Sequence, residues 1–268
     1  MGYGDEVMAS GMARGLHARG KRAAFGDGRR IIWGPWSNAV FENNPNVARP
    51  GDEGAADLEW IPHYKGSRMY NRPGGRGWIW NHGFRPTPGE FFFRRDELRR
   101  AYGMPPGSVI VEPNLPKKGV AVNKRWPLER WSELAKHLRR GGWHVFQFVH
   151  RPEDTVLPDA IAFYTKDYRQ AVASLRNATM FIGPEGGMHH AAAAVGIGAV
   201  VLFGGFIPTT LTGYDGHANI GVPPGEACGS TSPCEHCRDA MLAISVEEVL
   251  DAVGRARPPA LVEDRRTA

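Results

Sequence analysis

Apolar and polar positions alternate most regularly in the second half of the chain. Phe181 to Gly183 is a short apolar run ending in glycine and predicts a buried strand. Pro184 to Gly187 is a polar, glycine-rich turn, Met188 to Val195 an alanine-rich helix, and Ala199 to Phe203 a second apolar strand after Gly196 and Gly198. Strand, turn, helix and strand make one βαβ unit. Upstream, Val109 to Glu112 reads as a strand. Pro127 to Arg140 reads as an amphipathic helix with Leu128, Trp131, Leu134, Ala135 and Leu138 on one face. Pro127 suits its first turn and Gly141-Gly142 its end, and Trp143 to Val149 follows as a strand. Residues 161 to 164 predict a short strand and Tyr168 to Asn177 a helix. After a long loop, Ser245 with Glu248 three positions on has the pattern of a capping box and opens a helix to about Val253.

The first half is less periodic. A glycine turn at Gly2 to Gly4 leads into a helix with Val7, Met8, Met12 and Leu16 apolar. Lys21 to Phe25 and Ile31 to Trp33 predict strands, Asn43 to Gly54 a loop, and Arg94 to Tyr102 a short helix. The stretch from Trp60 to Gly89 is aromatic, basic and rich in Gly and Pro, and yields only short strands such as Trp78 to Trp80. Pro105-Pro106-Gly107 punctuates the chain, so 1–104 and 105–255 are expected to form two α/β units with a cleft between them. Ligands then belong at the carboxyl ends of parallel strands. The charged, proline-rich tail, 256–268, is expected to be disordered.

The 268 residues are 42% hydrophobic and 23% charged, a globular composition. No apolar run reaches the ~18 to 20 residues of a membrane span, and the start lacks the basic-then-apolar pattern of a signal peptide. The three cysteines fall between 228 and 237; so few, and an odd number, argue against a secreted disulfide scaffold and for a reducing cytoplasm. Net charge is +5, and 26 of the 33 basic residues are arginine. The planar guanidinium suits phosphates, sugar nucleotides or nucleic acid, although a genome rich in G and C inflates arginine without any functional cause.

Some positions carry chemistry by themselves. Glycines at 186 and 187 let a ligand approach the backbone, and unpaired N–H groups at a helix start favour a phosphate. Glu185-Gly186-Gly187-Met188-His189-His190 adds a carboxylate and two imidazoles to that turn, more than an ordinary strand-to-helix turn carries. Asn114, just past a strand, is placed to reach phosphates. Asp5 sits at a glycine turn before a helix, as either a proton acceptor or a helix cap. Cys228, Cys234 and Cys237, with His236 and His217 nearby, could hold structural zinc as three thiolates and one imidazole, although a single Cys-x-x-Cys is half of a zinc knuckle. Asp57-Leu58-Glu59 is the nearest approach to an Asp-x-Asp that would bridge a diphosphate through a metal.

Three segments, Gly2-Tyr3-Gly4-Asp5, Lys124-Arg125-Trp126-Pro127-Leu128-Glu129-Arg130-Trp131 and Glu185 to His190 continuing to Phe203-Gly204, resemble glycosyltransferase family 9, the ADP-heptose:lipopolysaccharide heptosyltransferases. Cys234 to Val249 is similar to the cysteine-bearing loop before that family's last helix. The resemblance implies an α/β protein of GT-B type, two Rossmann-like domains facing a cleft, here with a shortened N-terminal domain. It implies inverting transfer of a sugar from an ADP-, GDP- or UDP-sugar to a hydroxyl acceptor, with no cofactor or catalytic metal required. Asp5 then matches the base, Lys124 a phosphate ligand and His190 the motif histidine, and the backbone of Gly187 to His189 would face the diphosphate. Glu185 would orient His190 or meet a sugar hydroxyl, and the loop from His150 to Glu153 would receive base and ribose.

The acceptor implied is a bacterial surface glycan. A modified DNA base is the alternative, read by the aromatic, arginine-rich stretch from Trp60 to Arg100. A nucleotide-sugar epimerase or hydrolase and a non-catalytic binding domain are further readings of the same fold. Glu185 stands where the family has Asp, Gly186 where it has a hydroxyl residue, and His189 where it has a small one. No strand precedes Gly2, so the first Rossmann strand is expected to be missing or trimmed away.

Overall fold

The computed structural model describes residues 2–75, 77–116 and 119–256. The tail expected to be disordered lies outside these residues, apart from Ala256.

The second half builds the larger sheet. Its strands are β5 (Ser108–Val111), β6 (His144–Val149), β7 (Ile161–Tyr164), β8 (Met180–Pro184), β9 (Gly198–Gly204) and β10 (Ala218–Gly221). They lie in the order β10-β9-β8-β5-β6-β7, and every neighbouring pair is parallel. Counted from the first of the six, this is the doubly wound order 3-2-1-4-5-6, whose direction reverses between β5 and β8.

Side chains alternate across the sheet, as a period of two requires. Ile110, Phe146, Phe148, Phe181, Val201 and Phe203 enter one apolar layer; Val109, Val111, Val145, Ile182, Val200 and Leu202 enter the other. The helices α4 (Leu128–Arg140) and α9 (Val246–Arg255) cover the second layer with Trp131, Leu134, Leu138 and Val249. Ser245 caps α9 by accepting the Glu248 N–H at 3.0 Å. Pro127 is the N-cap of α4, one residue before its predicted place. Leu128 departs from its predicted face: it is 40% exposed and lines a cavity.

The opposite layer carries α5 (Tyr168–Leu175) and α6 (Gly187–Val195), and the first half of the chain packs over them. That half begins with α1 (Tyr3–His17), followed by β1 (Arg22–Gly26), α2 (Ser37–Phe41) and β2 (Leu58–Pro62). β1 and β2 form a two-stranded parallel sheet, extended by a bridge from Ala23 to Val47. Ile31 to Trp33 is not a strand. The chain turns at Asp27, which accepts the Arg29 and Arg30 N–H groups, and leaves only a bridge from Gly26 to Ile31. β3 (Asn71–Pro73) and β4 (Trp78–Trp80) make an antiparallel hairpin. α3 (Arg95–Arg99) is shorter than its pattern, because the chain leaves it to dock on α5, where the Tyr102 N–H donates to Ser174 Oγ at 2.9 Å. The segment after β9, expected as a long loop, holds α7 (Thr209–Thr212), β10 and α8 (Glu235–Ala243). β10 is a half-exposed edge strand and leaves little apolar signal.

Val7, Met8, Phe25 and Phe41 share one apolar cluster with Phe181, Ala191 and Phe203, so the two halves have a common core. A buried ion pair locks the same seam. Arg169 on α5, 7% exposed, donates to both Glu97 oxygens at 2.5 and 3.0 Å, to Phe92 O at 2.7 Å and to Ala39 O at 3.2 Å. Arg169→Met is expected to cost about 3 kcal/mol in urea unfolding, because the buried Glu97 charge then loses its bidentate partner and keeps the Arg94 N–H at 2.8 Å and the Arg94 guanidinium at 4.0 Å. Adding Glu97→Leu should recover most of it; a single variant within about 0.5 kcal/mol of wild type would show that the pair does not hold the halves. Among the described residues no helix is long and apolar enough to cross a membrane.

Candidate active site

The direction reversal between β5 and β8 puts a crevice beyond their carboxyl ends, where doubly wound sheets take ligands. Here the amino ends of α1 and α6 meet. A Cβ on Gly4 would lie 2.8 Å from His190 Cδ2, and one on Gly187 3.0 Å from Tyr3 Cβ, so this approach needs glycine at both places. Tyr3 stacks on Tyr168 at 3.8 Å between centroids, and the Tyr168 hydroxyl donates to Gly187 O at 2.8 Å.

On the α6 side, Glu185 ends the β8 turn and is 5% exposed. The Lys124 ammonium donates to Glu185 Oε2 and, at 3.3 Å, to the Glu185 carbonyl. His190 Nε2 lies 3.3 Å from Glu185 Oε1, and its Nδ1 2.9 Å from the Tyr214 hydroxyl. Burial alone would raise the Glu185 pKa; the Lys124 charge and the His190 hydrogen bond outweigh it and hold the carboxyl ionised, well below the usual range. Lys124 closes a 3-10 turn over Gly119–Lys124 rather than opening α4, and its side chain is 14% exposed rather than solvated. The predicted link of Glu185 to His190 is therefore present, and Lys124 joins it.

His189 lies beside the equally buried His190, with ring centroids 4.4 Å apart, and one of its ring nitrogens is within 4.8 Å of ligand atoms of Glu185 and His190. Its ring is fully buried against Phe203, Tyr214 and His217, neither ring nitrogen has a hydrogen-bond partner, and burial drives its pKa well below 6.5. Met188 is buried in the shared core. Met188, like Gly186 and Gly187, offers a ligand only its backbone. The first N–H groups of a helix lack intrahelical acceptors, and the helix dipole favours an anion there.

Asn114 is not joined to this cluster by a hydrogen bond. Its amide exchanges two bonds with the Thr155 backbone, at 2.9 and 3.0 Å. It lines a cavity of about 610 Å3 together with Arg125, Trp126, Leu128, Arg151 and Asp154. The loop predicted to receive base and ribose forms part of that wall through Arg151 and Glu153.

Asp5 lies inside α1, at its third residue, and is 8% exposed. Gly2, not Asp5, is the N-cap of α1; its N–H donates to Asp5 Oδ2 at 2.6 Å, so Asp5 caps the helix from the third position. The Tyr70 hydroxyl donates to Oδ1 at 2.5 Å, and Arg68 Nε lies 3.3 Å from the same oxygen. Tyr70 and Arg68 escaped the sequence reading, because nothing in the stretch after Trp60 ties a tyrosine to a helix 65 positions away. Arg68 also stands over the Trp78 ring at 4.8 Å and lines a cavity of about 370 Å3 with Asn71, Arg72, Ile79, Trp80 and Asn81. A second unforeseen pair joins Glu112, just past β5, to His150, just past β6. Glu112 Oε2 is 3.7 Å from His150 Nε2, whose Nδ1 meets Thr165 Oγ1 at 2.8 Å. Burial pushes the Glu112 carboxyl up; burial would lower His150, but the Glu112 contact more than offsets it.

Cys228 Sγ lies 3.2 Å from Cys237 Sγ and 3.8 Å from Cys234 Sγ, with no disulfide among them. A tetrahedral site with metal–sulfur bonds of about 2.3 Å has sulfur–sulfur edges of about 3.8 Å, so the three thiols fit a metal. His236 is not grouped with them, since its ring lies against Gly205, and His217 bonds the Ile197 carbonyl at 3.2 Å. The predicted imidazole ligand is thus not provided.

Residues 115–231 match the family model of glycosyltransferase family 9 (heptosyltransferase). No curated protein matches the sequence. Among solved structures, the glycosyl transferase family 9 protein of Veillonella parvula DSM 2008 is similar at 14% identity and a TM-score of 0.62, with 95% of this chain and 94% of that one covered. The iron-containing dodecameric glycosyltransferase TibC of enterotoxigenic E. coli H10407 is similar at 18% identity and a TM-score of 0.50, over 63% of this chain and 50% of that one. E. coli ADP-heptose lps heptosyltransferase II aligns at 17% identity and a TM-score of 0.45, over 66% of this chain and 53% of that one. The chain therefore spans about half the length of the two E. coli proteins. Of the segments that carry the resemblance, Lys124 to Trp131 and Glu185 to Gly204 lie within the matched residues, whereas Gly2 to Asp5 and Cys234 to Val249 lie outside them; the α/β fold is shared with the Veillonella parvula protein.

Proposed function

We propose that this protein is an inverting glycosyltransferase that needs no catalytic metal and moves a sugar from a nucleoside diphosphate donor to a hydroxyl of a surface glycan. Residues 1–104 form the acceptor side and 105–255 the donor side, in the cytoplasm. The observation that carries the reading is the meeting of α1 and α6. It sets a carboxylate, Asp5, one residue from Gly4, which lies against the Glu185-bound His190. Asp5 takes the proton of the acceptor hydroxyl as its oxygen attacks the anomeric carbon, and the bond from that carbon to the diphosphate breaks on the opposite face. Lys124 and the first N–H groups of α6 receive the charge on the leaving diphosphate. Two of the three Lys124 donors go to Glu185, which leaves one for a phosphate oxygen. The nucleoside lies in the cavity beside Asn114 and Arg151, and the acceptor glycan enters by the cavity at the β3–β4 hairpin.

Of the solved structures, TibC is described as iron-containing. In this chain two groups bring their ligand atoms within 4.8 Å of one another, the three thiols and Glu185 with His189 and His190; a metal on the thiols would pin the loop, and the transfer proposed here needs none at Glu185. The test is a thermal-shift screen with ADP, GDP, UDP, CDP and dTDP and their common sugars, with and without EDTA. A ligand at 100 times its Kd adds about 2.7 kcal/mol. One nucleoside diphosphate is expected to raise Tm, and glycan-dependent turnover of its sugar to persist in EDTA. Turnover without any acceptor would indicate an epimerase or hydrolase instead, and no shift with any nucleotide would overturn the reading.

A further inference from the structure

We propose that Tyr70 is a positioning residue for proton transfer, fixing the plane of the Asp5 carboxylate toward the acceptor hydroxyl. The inference rests on Asp5 being the base. The torsion that turns an aspartate carboxyl is broad and weakly restrained by the backbone, so hydrogen bonds must set its plane. Each oxygen receives one from the described residues: Oδ2 from the Gly2 N–H and Oδ1 from the Tyr70 hydroxyl.

The two partners differ in kind. The Gly2 bond is local to the helix turn and would form around any capping carboxylate. The Tyr70 bond reaches across the fold from a side chain that is itself fixed. Tyr70 is 9% exposed, its ring packs against Phe84 at 6.0 Å, and its carbonyl accepts the Asn81 N–H at 2.9 Å from just past β4. The hairpin that lines the 370 Å3 cavity is thereby coupled to the orientation of the carboxylate. Arg68, two residues earlier on the same segment, approaches the same oxygen but defines its plane less tightly, at 3.3 Å against 2.5 Å.

In the step itself the acceptor proton passes to Asp5. Tyr70 keeps its own proton throughout, because burial and the Asp5 charge raise its phenol well above 10. Nothing beyond donor and acceptor is consumed.

The test compares Tyr70→Phe with Asp5→Asn, using the nucleotide sugar and glycan that the wild type turns over. Phenylalanine keeps the ring and removes only the hydroxyl. Tyr70→Phe is expected to lower kcat about 10- to 100-fold, the scale of a misplaced reacting group. The donor KM and the thermal shift with the matching nucleoside diphosphate should stay within about twofold of wild type, which also shows that the variant is folded. A packing role alone would lower Tm and leave kcat in place. If Tyr70→Phe keeps its kcat while Asp5→Asn is inactive, Tyr70 does not position the base and the transferase reading stands. If Asp5→Asn keeps its turnover, the assignment of Asp5 fails, and this inference with it.

Discussion

Asp5→Asn is expected to lower kcat by about 100- to 10,000-fold, the span that a positioned general base supplies, and to leave nucleoside diphosphate binding as it was. The amide is isosteric, and its carbonyl oxygen can still accept one of the two bonds that Asp5 now receives at its oxygens. What it loses is the capacity to take a proton. Measuring kcat and the nucleotide thermal shift on the same preparation separates the two effects. A kcat within tenfold of wild type would assign Asp5 to capping α1 and leave the base unassigned.

Lys124→Met should have two effects of different origin. Glu185 is ionised and 5% exposed, and without the ammonium its hydrogen-bonding side-chain partner among the described residues is His190. Breaking a buried pair by removing one member costs about 3 to 5 kcal/mol, seen as a lower urea midpoint. Loss of a charged hydrogen bond to phosphate, worth about 1.5 to 3 kcal/mol, should weaken the nucleoside diphosphate by about 10- to 100-fold. The double variant Lys124→Met/Glu185→Gln tells them apart, because the buried charge is gone and most of the stability returns while the nucleotide remains weakly held. Recovery of both properties in the double variant would mean that Lys124 serves only to neutralise Glu185.

What could be read from the sequence followed from how local its cause was. The βαβ unit around Gly186 was legible because apolar runs, glycines and a helix start follow one another within a few residues. The α4 face was legible at Trp131, Leu134 and Leu138 and failed at Leu128, where a cavity replaces the core. His189 and His190 look equivalent in the sequence. One residue turns a helix by about 100°, so that, with both rings buried, His190 hydrogen-bonds Glu185 while His189 packs on Phe203. Tyr70, Arg68 and the pair of Glu112 with His150 were not legible, since each depends on which segments the topology brings side by side. The resemblance gave Lys124 a phosphate role, yet its position at Glu185 emerges only where the 3-10 turn passes β8.

The shared core across the seam has a kinetic meaning. In an enzyme whose halves close over a ligand, part of the binding energy goes into assembling the site, and the rate of capture is limited by that motion. Here the contact of α1 with α6, with Gly4 against His190, is part of that shared core. Under the proposed function, opening the seam to admit a donor would expose that core, so donor affinity would reflect contacts made and capture would be governed by encounter and entry.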